Sequence, residues 1–327
     1  MSILDQMAES YGVSTQFLQS RFVNKTDHLY KTYRIEKKYK KYDNGDSRNY
    51  RVINHPSKQL KQLHFWLNEN LFRQMEVHDA VYSYRKNRSI LDAALLHIHN
   101  KHFLKLDFSD FFPSIKEENV KCFLGRALNL LPEDLNVVST LVTFKGALTI
   151  GSPCSPVLSN AIMITFDEEL SKKCFEHQIV YTRYADDLVF SSKKQKNLHI
   201  IEKFIKAFLI NFSDIQLTLN TEKTRYLSKN NRVRVLGLTL TSDGNVSLGR
   251  DKKREIRQMV YQWKINTLQA DERFTELEKR MYLKGYLSFM SYIEPKFVEM
   301  LKEKYGSEVF CQIRSFEGLE KETLPIN

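Results

Sequence analysis

Residues 179–190 decide the fold, and they read IVYTRYADDLVF. The two arms of this stretch are rich in β-branched and aromatic residues, which favour strands, while its short polar centre is typical of a hairpin turn. The pattern predicts a β-hairpin that carries Asp186 and Asp187 at its tip. Two adjacent carboxylates repel each other, so a fold holds them together at low cost only where a cation lies between them or water surrounds them.

A second stretch, residues 103–115, supplies a third carboxylate and reads FLKLDFSDFFPSI. It is strand-like up to Asp107 and is then ended by aromatic residues and a proline. If this strand lies beside the hairpin, Asp107 joins Asp186 and Asp187 around two Mg²⁺ ions, which prefer carboxylate oxygens and substrate phosphates. That site suits in-line phosphoryl transfer. An isolated Asp-Asp pair is more often a solvated turn, but the two stretches together favour the metal site.

Residues 107–114 and 184–187 together resemble the catalytic motifs of reverse transcriptases. The wider stretch 181–187 resembles the bacterial branch of that family, and within it the retron reverse transcriptases, which make a short DNA covalently joined to a structured RNA. The similarity runs from about Tyr33 to about Tyr305. It implies an α+β fold of the right-hand polymerase type, with fingers, a palm that has an antiparallel sheet and the catalytic hairpin, and a helical thumb.

The resemblance also implies catalytic roles for individual residues. Asp107, Asp186 and Asp187 would hold two Mg²⁺ ions, or Mn²⁺ in their place. Lys223, in the motif at residues 220–224, would act as a general acid toward the pyrophosphate leaving group. A lysine in a polar turn is more often simply solvated, so both interpretations of Lys223 stay open.

The resemblance implies that four residues contact the incoming nucleotide. Arg51 suits the triphosphate because its planar guanidinium pairs with phosphate oxygens. Phe108 follows the first catalytic aspartate, and Phe112 falls where the family has an aromatic ring beneath the sugar, which would exclude a 2′-hydroxyl. Gly151 allows the backbone to approach a ligand closely. The family often has glutamine before this glycine, whereas this chain has Ile150.

Residues expected to bind nucleic acid lie in three parts of the sequence. Tyrosine and arginine alternate in residues 82–88, which suits stacking on bases together with contacts to the phosphate backbone. Two motifs typical of retron enzymes are altered, because Ala93 stands where asparagine is frequent and Leu236 where threonine is frequent. The basic run at residues 250–257 suits contact with a duplex. The candidates are Arg85, Arg88, His97, Gly237, Arg250, Lys252 and Lys253.

The charge balance favours a nucleic-acid partner. The 327 residues include 50 Lys and Arg against 39 Asp and Glu, a net charge of +11, and cationic side chains bind phosphates by releasing counterions. The four cysteines are far apart and lack metal-binding spacing, so we expect neither a zinc site nor a disulfide framework. The sequence shows neither a secretory signal nor an apolar run of membrane-spanning length, which predicts a cytoplasmic protein with no membrane partner.

The pattern along the chain predicts four parts. Residues 1–35 form an N-terminal helical extension, 36–100 the fingers, 101–245 the palm with a portion of the fingers, and 246–327 the helical thumb. Strands interrupted by helices favour an α+β palm. We expect helices at 155–176 and 197–211, and strands at 103–108, 179–184, 187–191, 215–219 and 233–240.

These features predict an RNA-directed DNA polymerase that uses dNTPs. By resemblance, template and primer are one structured non-coding RNA, synthesis starts at a guanosine 2′-hydroxyl and leaves a branched DNA product, and the enzyme serves anti-phage defence with an effector (toxin) protein. The thumb leaves no room for an RNase H domain after it, so we expect a host RNase H to trim the RNA. The alternatives are another free-standing bacterial reverse transcriptase, a scaffold that holds an RNA–DNA hybrid and controls an effector, or a basic RNA-binding protein without catalysis.

Overall fold

The computed structural model describes residues 1–24, 27–36, 50–230, 232–272 and 274–317. Contacts between residues divide the chain into two compact units. The first comprises residues 1–89 and 100–227, and the second comprises residues 90–99 and 228 onward. Most residues predicted as fingers and palm thus share the first unit, whereas residues 90–99 and 228–245 belong to the second unit with the predicted thumb. The division into extension, fingers, palm and thumb stays a prediction. Within the described part of the chain, helices long and apolar enough to cross a membrane are absent.

The helices lie in both units, with α4 and α11–α14 in the second. They are α1 (Ile3–Tyr11), α2 (Thr15–Leu18), α3 (Lys58–Asn70), α4 (Ile90–Leu96), α5 (Phe111–Ser114), α6 (Glu117–Leu128), α7 (Pro132–Val142), α8 (Cys154–Ile162), α9 (Ile164–Glu176), α10 (Gln195–Asn211), α11 (Arg250–Lys264), α12 (Glu276–Ile293), α13 (Pro295–Tyr305) and α14 (Ser307–Ser315). Short π- or 3₁₀-helical turns lie at Gln19–Val23, Asp27–Leu29 and Phe72–Gln74.

The strands in the described part of the chain form three sheets. They are β1 (Tyr30–Glu36), β2 (Tyr50–Pro56), β3 (His102–Ser109), β4 (Val180–Tyr184), β5 (Asp187–Ser192), β6 (Thr218–Leu219), β7 (Arg225–Ser228), β8 (Val233–Val235), β9 (Leu238–Leu240) and β10 (Val246–Ser247). The largest sheet has the order β4-β5-β3-β6, and β7 also pairs with β3.

The large sheet separates an apolar core from the carboxylates. Side chains alternate between the two faces of a strand. On β3, Leu104, Leu106 and Phe108 therefore share one face, where they join a core that includes buried residues of α8, α9 and α10. Asp107 lies on the opposite face. Burial of each such large apolar side chain contributes about 1.5–3 kcal/mol, so the core strongly determines which face of β3 turns inward.

The strands β1 and β2 pair antiparallel over all of their residues and expose most of their side chains. The end of β2 is attached to the loop before α8. The N–H of Asn54 donates to the carbonyl of Ile150 at 2.9 Å, and Asn54 Nδ2 donates to Thr149 Oγ1 at 2.6 Å. Gly151 permits this contact, because its φ is 107° and a Cβ on it would lie 2.7 Å from the Asn54 carbonyl oxygen.

The second unit combines the short strands β8–β10 with α4 and the four C-terminal helices. β8 and β9 are joined by the two-residue turn of Leu236 and Gly237, whose φ angles are 48° and 85°. Both residues of a type I′ hairpin turn have positive φ. The single strand expected over residues 233–240 is therefore two strands, because this turn reverses the chain.

The predicted fold class is confirmed, since the chain is α+β with an antiparallel sheet and a hairpin at the expected place. The strands expected at 103–108, 179–184 and 187–191 are present as β3, β4 and β5. The strand expected at 215–219 is reduced to β6, and the helix expected at 155–176 is divided at Met163 into α8 and α9.

Replacement of Gly151 with alanine tests the close approach of the two backbone segments. Gly146 is the matched control, because its φ is 73° but a Cβ on it would meet no atom within 4 Å. We expect Gly146→Ala to cost about 1–2 kcal/mol from the left-handed conformation alone, and Gly151→Ala to cost about 1–3 kcal/mol more from overpacking. Urea unfolding of both variants measures the difference, and equal losses would contradict the proposed clash.

Candidate active site

The three predicted carboxylates meet at one end of the large sheet. The pairing of β3 with β5 places Asp107 directly opposite Asp187, and the Cβ atoms of such cross-strand pairs lie about 4.5–5.5 Å apart. The β4–β5 hairpin closes through Ala185 and Asp186. The N–H of Phe108 donates to the Asp186 carbonyl at 3.1 Å, which fixes the hairpin tip against the end of β3.

The carboxylates repel one another in a partly desolvated site. Burial raises the pKa of Asp187 to about 6, and the negative charges of Asp186 and Asp107 raise this pKa as well. Burial and the charge of Asp107 also raise the pKa of Asp186. The site therefore favours any positive charge that enters it.

Lys223 supplies one such charge. Its Nζ lies 2.7 Å from Asp107 Oδ1 and 2.9 Å from Oδ2. The turn that carries Lys223 is tied to the same residue, because the N–H of Asn220 donates to the Asp107 carbonyl at 2.7 Å. The Lys223 side chain is 58% exposed, whereas the Asp107 side chain is only 8% exposed. The ammonium can be hydrated when it leaves, but the buried carboxylate of Asp107 then needs another positive charge in its place.

The charge of Arg51 also acts on the carboxylates. It lowers the pKa of Asp186, against the larger effect of burial. Burial and the neighbouring Tyr184 raise the pKa of Tyr84, and the Arg51 charge lowers it. Such interactions fall off with distance, so the Arg51 charge lies within range of both groups, and its contact with a triphosphate stays a prediction. Tyr84, whose ring centroid is 6.3 Å from that of Tyr184, belongs to the stretch predicted to stack on bases but was not selected as a site residue.

The donor chemistry of the three aspartates fits a hard divalent ion. In the ranges that the structure describes, no group of three or more His, Cys, Asp or Glu side chains is already arranged to hold one ion. Asp107 is instead engaged with the Lys223 ammonium, which provides the positive charge that a cation would bring. Metal binding by these residues thus stays a prediction.

Of the remaining predicted nucleotide contacts, some are buried in the core and some are accessible. Phe108 is 2% exposed and packs on Phe111 and Phe166, with centroid distances of 5.8 and 5.6 Å. Its ring belongs to the core and not to a nucleotide contact, because it points to the face opposite the catalytic aspartate before it. Phe112 is only partly buried and lies beside Phe111. Gly151 contacts backbone, as described above.

The predicted nucleic-acid contacts that precede the large sheet, and the one in the β8–β9 turn, differ in how far the protein already engages them. Arg88 Nη2 donates to Asp79 Oδ1 at 3.0 Å, and Arg85 Nη1 lies 3.8 Å from the same oxygen. Asp79 is exposed, so these ion pairs are weak. Arg85 Nη1 also donates to the carbonyls of His78 and Val81 at 3.0 and 3.3 Å, and Arg88 Nη1 donates to Tyr82 OH at 2.9 Å, so both guanidinium groups are partly engaged within the protein. His97 is fully buried, and burial lowers its pKa to about 3, so its ring is a neutral core group and not a contact. Gly237 serves the hairpin turn.

Two predicted basic residues of α11 are engaged within the protein. Lys252 Nζ contacts Glu255 Oε2 at 2.6 Å and Tyr282 OH at 2.7 Å. Lys253 Nζ contacts Glu294 Oε1 at 2.9 Å. These contacts make Lys252 and Lys253 weaker candidates for binding phosphate than the sequence indicated.

Exposed arginines form a stripe on the same helix. Arg250, Arg254 and Arg257 are exposed, and their spacing of four and then three residues places them on one face. Arg250 was predicted, whereas the other two were included only as part of the basic run. The sequence signal that distinguishes these arginines is their helical spacing, which places them on the face opposite the buried apolar residues of α11.

Three buried residues beneath the hairpin tip were missed. Arg183 and Asp167 are both fully buried and form an ion pair at 2.6 Å, and Ser83 is fully buried beside the turn. The sequence carried one signal for Arg183, because a charged residue within an otherwise apolar strand requires a buried partner. It carried none for Ser83.

The raised pKa of Asp187 predicts a pH-dependent stability of the metal-free protein. Because this pKa is about 6 in the folded state against an ordinary value of 3.8, the folded protein binds the proton more tightly. The carboxylate therefore destabilises the fold fully above about pH 6, and this penalty disappears as pH falls below about 4. We expect Asp187→Asn to raise Tm by a few degrees at about pH 8 with EDTA and to lose this gain near pH 4. Asp110→Asn, at an exposed aspartate, is the control, and a gain independent of pH would contradict the assignment.

Comparison with known proteins agrees with the geometry. Residues 35–240 match the family described as reverse transcriptase (RNA-dependent DNA polymerase). The chain is 32% identical to the retron Ec83 reverse transcriptase of Escherichia coli, over 88% of this chain and 90% of that protein. It is 30% identical to the retron Ec73 reverse transcriptase of Escherichia coli, over 79% of this chain and 84% of that protein.

Among solved structures, the chain aligns with a telomerase from Candida albicans in complex with a fragment of telomeric RNA. The TM-score is 0.45 at 11% identity, and the alignment covers 95% of this chain and 65% of that chain. The family match and the relatives at about 30% identity carry the assignment. The chain belongs to the retron-type reverse transcriptases, which are RNA-directed DNA polymerases.

Proposed function

We propose that this chain copies a structured non-coding RNA into a short DNA, with Asp107, Asp186 and Asp187 as its catalytic carboxylates. The β3–β5 register supports this proposal most, because it sets Asp107 opposite Asp187 and beside the turn of Asp186. A solvated turn, the ordinary alternative for an Asp-Asp pair, does not require a third carboxylate on the neighbouring strand. The mutual effect of the three charges on the pKa of Asp186 and Asp187 agrees with a shared cation site.

Most of the catalysis is positioning and charge stabilisation. Mg²⁺ ions bound by the aspartates, or Mn²⁺ in their place, would supply the charge that stabilises the attacking and leaving oxygens. The sheet register and the hairpin tip hold the carboxylates in place before substrate arrives. Arg51 pairs with oxygens of the triphosphate. The partly buried Phe112 ring lies beneath the sugar and excludes a 2′-hydroxyl, which selects dNTPs.

Lys223 has a different partner before and after nucleotide binding. Without nucleotide, its ammonium neutralises Asp107. With nucleotide, it moves to the pyrophosphate leaving group and donates a proton there. The 58% exposure of its side chain supports such an exchange, because an exposed ammonium has little desolvation cost to recover.

Each unit offers basic side chains for the nucleic acid. In the first unit, Arg85 and Arg88 bind phosphates and displace Asp79. In the second, the exposed arginines of α11, which are Arg250, Arg254 and Arg257, bind the backbone of the RNA–DNA duplex, while Lys252 and Lys253 retain their partners in the protein. Arginine suits both places because its fork pairs with phosphate oxygens.

The retron relatives support a more specific form of the proposal. The RNA is both template and primer, synthesis begins at a guanosine 2′-hydroxyl, and the product is a branched DNA. A host RNase H trims the template. The enzyme and its RNA–DNA product act in anti-phage defence with an effector protein.

Sequencing of the nucleic acid that copurifies with the protein tests this form. The protein is expressed from its own locus, as wild type and as the Asp186→Asn/Asp187→Asn double variant. We expect a short single-stranded DNA joined to one RNA through a 2′ linkage with the wild type, and RNA alone with the double variant, because the variant cannot hold its ions. Unbranched DNA with the wild type would instead favour another class of reverse transcriptase.

The same double variant separates polymerase from scaffold. If anti-phage activity is lost together with the DNA, synthesis is the function. Retained anti-phage activity without DNA synthesis would contradict the proposal and favour a scaffold that controls an effector.

The role of Lys223 is tested by Lys223→Gln. We expect single-turnover dNTP incorporation to slow by about 100-fold, within the range for loss of a general acid, with folding unchanged. Lys206→Gln is the matched control, because Lys206 is 56% exposed and forms a surface ion pair with Glu202 at 2.8 Å. An incorporation rate equal to that of the control would show that Lys223 is only a solvated turn residue.

A further inference from the structure

Ala185 occupies a strained position between the two catalytic strands. Its φ is 54°, in the left-handed region that costs an L-residue free energy because of its Cβ. Two-residue hairpin loops usually meet this requirement with glycine, asparagine or aspartate. Ala185 is also only 6% exposed. Strained backbone of this kind persists only where the surrounding structure holds it in place.

Both peptide groups of Ala185 are held by buried side chains. Its N–H donates to Ser83 Oγ at 2.8 Å. Its carbonyl, in the peptide that leads to Asp186, accepts from Arg183 Nη1 at 3.3 Å. Ser83 and Arg183 are both fully buried, so water does not compete for either hydrogen bond. The turn is therefore held from both sides by groups that are themselves inside the protein.

Arg183 is fixed in turn by a buried carboxylate. Its Nε and Nη2 donate to Asp167, at 2.8 Å to Oδ1 and 2.6 Å to Oδ2 respectively. Tyr181 OH donates to the same Oδ1 at 2.7 Å. A buried charge pair needs such additional hydrogen bonds to offset desolvation. The pair thereby leaves Nη1 directed at the Ala185 carbonyl.

Asn160 joins the two halves of this network. Its Oδ1 accepts from Arg183 Nη1 at 3.3 Å, and its Nδ2 donates to the Ser83 carbonyl at 2.9 Å. The groups that hold the two peptides of Ala185 are thus linked to each other. A fully satisfied buried network is rigid and specifies one arrangement.

We propose that Ser83 and Arg183, supported by Asp167 and Asn160, are positioning residues that hold the Ala185 turn and so aim the carboxylates of Asp186 and Asp187. This inference rests on the proposed catalytic role of those two aspartates. Ligands of a metal must be held within about 0.5 Å of the productive geometry. Because Asp186 directly follows the clamped peptide, a small rotation of that peptide moves its carboxylate out of place.

Ser83→Ala removes one clamp with little change in volume. Ser192→Ala is the matched control, because Ser192 is 1% exposed and its Oγ also accepts a backbone N–H, from Lys194 at 3.3 Å. Ser192 lies at the far end of β5 from the carboxylates. Both variants lose a buried hydrogen bond, so both should lose some stability. Only Ser83→Ala should misplace the aspartates and so change metal binding and catalysis.

Two readouts separate positioning from stability. The first is binding of Mn²⁺ alone to the full chain, measured from the EPR signal of free Mn²⁺. The second is dNTP incorporation on an RNA template with a DNA primer, resolved into kcat and KM. We expect Ser83→Ala to weaken Mn²⁺ binding and to lower kcat by about 10–100-fold, the usual effect of residues that orient metal ligands, with the KM for primer–template unchanged. Ser192→Ala should match the wild type in both.

Arg183→Lys is the second variant. Lysine keeps the charge that Asp167 requires but lacks the planar fork that reaches Asp167, Asn160 and Ala185 together. We expect Arg183→Lys to fold and to show the same weaker Mn²⁺ binding and lower kcat as Ser83→Ala. Should Arg183→Lys fail to fold, the comparison of Ser83→Ala with Ser192→Ala still decides the question.

Wild-type Mn²⁺ affinity and kcat in Ser83→Ala would overturn the positioning role. This failure is distinct from failure of the proposed function. If the wild type incorporates dNTPs and Ser83→Ala does so equally well, only the positioning role is wrong. If the wild type neither binds Mn²⁺ nor incorporates dNTPs, the proposed function itself is wrong.

Discussion

The register between β3 and β5 is the constraint on which the site depends. It sets Asp107 opposite Asp187, and it is itself fixed by the core, because Leu104, Leu106 and Phe108 on the other face of β3 are buried. A slip of one residue would exchange the faces of the strand. It would bury Asp107 among apolar side chains and expose the leucines. The hydrophobic core therefore positions the carboxylates.

Holding the carboxylates together costs electrostatic free energy. Positive charges near the carboxylates and a buried network beneath the turn offset this cost. Desolvation and mutual repulsion raise the pKa values of Asp186 and Asp187, while the charges of Lys223 and Arg51 act in the opposite sense. Beneath the turn, the buried pair of Arg183 and Asp167 belongs to the network that holds the backbone in a strained conformation. Strain and uncompensated charge that persist in a folded protein are typical of functional sites. Here the strained backbone of Ala185 is directly followed by the two carboxylates whose pKa values are raised.

The sequence predicted the elements whose signals are local, and it failed where a residue's role depends on a distant partner. The hairpin and the strand before Asp107 were evident from short apolar runs that end in aspartates. The core position of Phe108 was also within reach, because it follows Asp107 and strand side chains alternate. By contrast, Asp167 lies 16 residues from Arg183, and Ser83 is 102 residues from Ala185. Their pairing is a property of the tertiary fold. Likewise, Glu294 lies 41 residues from Lys253. The partner of Lys252 was within reach of the sequence, because Glu255 lies only three residues away on the same helix.

The central claim is that Asp107, Asp186 and Asp187 converge on divalent ions when substrate is bound. Anomalous scattering from Mn²⁺ in crystals of the protein with an RNA–DNA hybrid and a dNTP tests it most directly. The account predicts anomalous peaks within coordination distance of all three aspartates, with the Lys223 ammonium withdrawn from Asp107. Well-ordered hybrid and dNTP without a peak at these carboxylates, and with Lys223 still paired to Asp107, would contradict it.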